Sequence, residues 1–113
     1  MAHQIEVVRG TLELLIMKTL SAGAPLHGFG VLRWIRDATE EALLIEEGAL
    51  YPALHRMERR GWITGEWQIS EKGRRARYYV LTAVGRKQLV RQETEWLRYL
   101  RAWERIAAAA AVA

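Results

Sequence analysis

The sequence has no cysteine, which removes disulfide frameworks, zinc ribbons and thiol nucleophiles in one step. His3, His27 and His55 are far apart and never fall into H-x-x-H or H-E-x-x-H spacing, so no metal site is expected. No G-x-S-x-G motif or phosphate-binding glycine loop is present, and the adjacent acids Glu40-Glu41 and Glu46-Glu47 have no companion base. Neither an enzyme nor a cofactor is expected. Apolar runs are short. None approaches the roughly 20 residues that span a bilayer, and the opening "MAHQIEVVRG" holds no apolar core of signal-peptide length. The expectation is a cytoplasmic protein with no membrane partner.

What is present suits one folded domain, or one domain plus an extension, since the chain has 113 residues. Half of them are hydrophobic and 27% are charged, a balance that disordered chains lack. The formal net charge of +4 and a pI near 9.9 favour a polyanionic partner without naming one.

"TLELLIMKTLSAG" sets Leu12, Leu15, Ile16 and Leu20 at helical spacing and predicts a helix over 11–21. A turn through Pro25 leads to "HGFGVLRWIRDAT", a second helix with Gly28, Val31, Leu32 and Ile35 on one face. Its two early glycines lower helicity, so close packing or a close ligand is needed to explain them. "LLI" at 43–45 is a minimal strand. "EEGALYPALHRMERRG" predicts a third helix from Glu47, with Gly61 at its C′ position and Pro52 close enough to the start to lack an amide partner to lose.

The period then changes from 3.6 to 2. Ile63, Gly65, Trp67 and Ile69 alternate with Thr64, Glu66, Gln68 and Ser70, which reads as a half-buried strand. Lys72-Gly73 is a turn, "RARYYVL" the returning strand, and Thr82 the N-cap of a long helix from Ala83 to at least Ile106. Three helices followed by a hairpin form a winged helix-turn-helix. The fold class is α+β, mainly α, with residues 1–81 as the winged unit and 82–113 as a long C-terminal dimerisation helix.

On a helical wheel Leu50, Leu54 and Met57 share one side of the third helix, and Pro52, His55 and Arg59 lie nearly opposite, flanked by Tyr51 and Arg56. A helix that enters the major groove needs such a second face, small near its start and then hydrogen-bonding and cationic. A plain solvated face would carry similar charges. The hairpin adds Lys72, Arg74, Arg75 and Arg77 against the single acid Glu71, a net of +3. Such a tip can lie along a nucleic-acid backbone, whereas its bland reading is edge-strand protection. Tyr78 and Tyr79 point to opposite faces, one of them toward the core. Taken together, the two cationic elements favour double-stranded DNA. A winged module that binds protein or RNA is the alternative, and the salt dependence of duplex binding separates them.

"GTLELLIMKTLS", "PLHGFGVLRWI", "EEGALYPALHRMERRGWI" and "EWQISEKGRRARYYVLT", in this order and spacing, resemble the PadR-like transcriptional regulators over roughly residues 8 to 86. The resemblance implies a homodimeric repressor of a palindromic operator, often released by a small aromatic or drug-like effector. It implies DNA contacts from Gly48, Ala49 and Tyr51 at the start of the third helix and from Gly73 and its arginines in the wing. Phe29 and Ala49 depart from the family pattern, which often has tyrosine and serine or threonine there. Both departures remove a hydroxyl, a loss that Lys72 can offset.

In the last helix Leu89, Glu93, Trp96, Leu100, Trp103 and Ala107 follow the a/d rhythm of a coiled-coil seam, widened by Leu97 and Ile106. Self-association through Leu89, Trp96, Leu100 and Trp103 is expected, with Glu93 the poor fit that would pair with a cation on the partner chain. The bland alternative has the stripe packing back on the first helix. Trp96 and Trp103 either fill the dimer core or line a gap that accepts an aromatic effector.

Overall fold

A computed structural model describes residues 5–8 and 10–112. Their order is β1 (Ile5–Glu6), α1 (Leu12–Leu20), α2 (Gly28–Ala38), β2 (Leu43–Leu44), α3 (Glu47–Arg59), β3 (Ile63–Ile69), β4 (Arg75–Leu81) and α4 (Ala83–Ala111). The mainly helical α+β class and the long last helix agree with the sequence reading.

The core gathers one stripe from each helix and the base of the hairpin. Ile16, Met17 and Leu20 of α1 meet Val31 and Ile35 of α2 and Leu50, Leu54 and Met57 of α3, with Ile63, Tyr79 and Leu81 closing one end. Thr19 is the one buried polar residue among them, and its hydroxyl donates to the Leu15 carbonyl at 2.8 Å, so it brings no unsatisfied group inside. Leu32 packs against this core as partly buried, completing the face foreseen for α2.

Local rules set the helix ends. α3 begins at Glu47 and is followed by Gly61 at φ +76°, the left-handed conformation that suits a C′ glycine. Pro52, however, is the sixth residue of α3 and lies past the free donors of the first turn, so the Gly48 carbonyl has no amide four residues on. Both residues are exposed on the outer face, where another donor can reach that oxygen. Thr82 caps α4 by accepting from the Gly85 amide at 3.0 Å, while its own hydroxyl lies within hydrogen-bonding distance of the Gly61 and Trp62 carbonyls.

β3 and β4 pair antiparallel from Ile63↔Leu81 to Ile69↔Arg75, and Leu26 joins β4 through reciprocal bonds with Tyr79. β2 has a partner that the sequence did not disclose. It pairs in parallel with β1, Ile5 against Leu43 and Glu6 against Leu44.

Three expectations need adjustment. Of the apolar side of β3 only Ile63 is buried, while Trp67 is 55% and Ile69 69% exposed, because the seven-residue hairpin extends beyond the core that its base covers. Leu89 is 7% exposed within this chain's own core, which leaves it little surface to offer a partner. Glu93 pairs with Lys18 of α1 at 2.8 Å, within the chain rather than across an interface. The foot of α4 thus packs against α1, as the bland alternative had it, and the helix then leaves the core. Among the described residues no helix is long and apolar enough to cross a membrane.

Candidate nucleic-acid interface

Two surfaces converge beside α3. Its outer face carries Gly48, Ala49, Tyr51, Pro52, His55 and Arg59, all exposed. The hairpin supplies Lys72, Gly73, Arg74 and Arg75, also exposed, with Gly73 at φ +74° making the tight turn. Between them runs an open groove of about 500 Å³. Tyr51 and His55 line it from α3, and Lys72, Arg74, Arg75 and Arg77 line it from the wing. Gly48, Ala49, Pro52 and Arg59 lie beside the groove rather than in its lining.

Arg56 and Arg77 are engaged inside the protein. Arg56 Nε lies 3.2 Å from Glu13 Oε1 of α1, and Arg60 shares the same carboxylate at 3.3 Å. Arg77 donates two hydrogen bonds to Glu58 of α3, one from Nε at 3.4 Å. The Glu58 hydrogen bonds hold its pKa above the ordinary arginine value. Arg77 therefore braces the wing against α3, and its side chain also lines the groove. Free cations remain at Arg59, Lys72, Arg74 and Arg75, each without an ion-pair partner among the described residues.

α2 contributes residues that sequence reasoning missed. His27 caps this helix, its Nδ1 accepting from the Gly30 amide at 2.9 Å, and its ring meets Tyr78 edge-on at 5.0 Å. Histidine is outside the usual capping set, so no sequence signal marked it. Gly28 faces the Tyr51 ring, where a Cβ would come within 2.7 Å of Cε1; close packing accounts for this glycine. Phe29, one of the two departures from the family pattern, lies between Arg33 at 5.9 Å and Lys72 at 5.7 Å from its ring centroid. The cation expected to offset the lost hydroxyl sits against the altered residue. Arg33 and Phe29 line the groove as well. Among the described residues, no three of His, Asp and Glu cluster as metal ligands would.

Residues 16–91 match the model of the Transcriptional regulator PadR-like family. The chain belongs to this family. A transcriptional regulator from Clostridium thermocellum superposes with a TM-score of 0.77 at 29% identity, covering 86% of this chain and 93% of that one. A PadR family transcription regulator from Clostridium difficile gives 0.73 at 27% identity, over 86% of this chain and 98% of that one. An uncharacterized protein of Lysinibacillus sphaericus is 25% identical over 91 residues, 80% of this chain and 83% of its own length. The PadR-like chain is accordingly a DNA-binding transcription regulator and not an enzyme.

Proposed function

We propose that the protein is a cytoplasmic homodimeric repressor that holds a palindromic operator through two winged units. The observation that carries this reading is the exposed stripe of α4. Leu97, Leu100, Trp103 and Ile106 are 44%, 37%, 62% and 63% exposed. The stripe continues the line of the buried Leu89, interrupted by Glu93, which is tied to Lys18 of the same chain, so one helix face passes from core to open surface. Soluble monomers seldom leave such a surface in water, and a second α4 would cover it. A two-fold pair then presents two α3 helices to successive major grooves, about 34 Å apart. On this reading residues 1–81 bind DNA and residues 82–113 join the protomers, with the foot of α4 built into the first unit.

A small aromatic effector acts at the same seam. Trp96 is partly buried and stacks on Tyr99 at 5.8 Å, with 11° between the rings, and Trp103 lies two turns on. Titrating tryptophan fluorescence with flavonoids, phenolic acids and cationic dyes tests this: saturable quenching lost in Trp96→Ala supports it, and no response to any of them removes it.

Selection of bound fragments from random duplex DNA tests the dimer and operator together. Inverted repeats with half-sites one helical turn apart are expected. Recovery of isolated half-sites by a protein that sediments as a monomer would end the reading. Repression is then read from a reporter placed behind the selected site.

A further inference from the structure

Trp67 lies on the hairpin face that turns toward α3. In antiparallel register that face comprises Ile63, Gly65, Trp67 and Ile69 on β3, opposite Leu81, Tyr79, Arg77 and Arg75 on β4. Its first rungs are buried at Ile63, Leu81 and Tyr79, and its outer rungs are the exposed Trp67 and Ile69 with the two arginines. The alternation that normally buries a strand face therefore continues past the core and delivers an indole to solvent.

That indole is held in place. The Arg75 guanidinium carbon lies 4.9 Å and that of Arg77 5.7 Å from its ring. Arg77 is itself bound to Glu58, so its charge is answered within the protein and its role on this rung is to brace. Trp67 lines the same groove as Tyr51 and His55, beside the face of α3 that points outward. A flat apolar side chain, 55% exposed and in contact with two guanidiniums, is placed to meet deoxyribose or a thymine methyl group rather than a phosphate.

We propose that Trp67 is a DNA-contacting residue that supplies affinity independent of salt, complementing the phosphate contacts of Arg74 and Arg75. The proposal rests on the groove being the duplex-binding face. An apolar contact releases no counterions, so its removal lowers affinity without changing how affinity depends on salt.

The test compares wild type, Trp67→Ala and Trp67→Phe on a duplex selected from a random pool by the wild-type protein, across a salt series. Trp67→Ala is expected to bind on the order of tenfold more weakly at every salt concentration with the slope unchanged, and Trp67→Phe to recover part of the affinity. Unchanged affinity overturns the proposal. A flattened slope overturns it too, since Trp67 would then act only by supporting Arg75. If Trp67→Ala does not fold, acrylamide quenching of wild type minus Trp67→Phe isolates this indole: shielding on adding duplex supports the contact, and no shielding overturns it. Wild-type protein that binds no duplex would instead refute the groove as a DNA site.

Discussion

Arg77 of the wing and Glu58 of α3 form a two-pronged ion pair that joins the hairpin to the helix it flanks. Both side chains are about 30% exposed, at 30% and 27%, so the pair is neither a free surface bridge nor a sealed one. It fixes the angle between wing and helix. Glu58→Gln is expected to lower the melting temperature by a few degrees and to speed exchange of the β3–β4 amides, measured by hydrogen exchange, while Leu54 and Ile16 stay protected.

Replacing the wing cations removes charge at the hairpin tip and, with Arg75, one of the two guanidiniums against Trp67. Arg74→Ala combined with Arg75→Ala is expected to weaken binding to all duplex sequences and to reduce the log–log salt slope by roughly 0.9 for each phosphate no longer neutralised. Sedimentation should show the same oligomeric state as wild type. Normal binding by this variant would leave the tip of the hairpin as a turn and nothing more.

Two leucines of α4 should separate folding from assembly. Leu89→Ala removes a side chain that is 7% exposed and is expected to cost about 2–5 kcal/mol of unfolding free energy in denaturant titration, without weakening self-association of the folded protein. Leu100→Ala, at a position 37% exposed, is expected to do the reverse, with monomer appearing at higher concentrations in ultracentrifugation and little change in local stability.

Gly28→Ala tests the seat of Tyr51. The added Cβ would meet Cε1 at 2.7 Å, so the ring must swing toward the groove. Because the obstacle is the end of a side chain, the fold should survive while DNA affinity falls several-fold, as measured by fluorescence anisotropy on the selected duplex.

Burial pushes the Tyr79 phenol above its ordinary value, with the nearby Glu58 carboxylate adding to the effect. A group whose proton is held more tightly in the folded state contributes stability that is complete below its unfolded pKa and lost as pH rises through the folded one. The melting temperature of wild type should therefore fall more steeply above about pH 10 than that of Tyr79→Phe, and the two curves should run parallel at neutral pH.

Much of this molecule could be read from its sequence wherever a local rule decided the outcome. Thr82 as a cap, Glu47 as a start and Gly61 as a stop each depend on a few adjacent residues, and each lies where the sequence reading put it. The distal wing escaped because alternation says which side a side chain takes, not whether anything covers that side; Trp67 and Ile69 keep the period of a core strand with no core beneath them. The burial of Leu89 escaped for a related reason. Heptad spacing from Leu89 through Trp103 is continuous, and only the position of α1 reveals that its first member is already buried. β1 is two residues long and carries no pattern, so its pairing with β2 was invisible. Arg56 and Arg77 looked like any other cations until Glu13 and Glu58 appeared beside them in space.

The foot of α4 is pinned more firmly than a tether would need. Gly85 sits so close to the Trp62 carbonyl that any side chain there would collide with it, and Leu89 and the Lys18–Glu93 pair fix the next two turns. The helix is therefore a rigid crank, not a strap. Its 22 residues beyond Leu89 extend about 33 Å at 1.5 Å per residue, so a 10° change in its tilt at the far end moves the reading head by about 6 Å. A shift of that size exceeds the reach of a hydrogen bond, so in the proposed dimer a molecule wedged between two such helices would take both heads off their grooves without touching either.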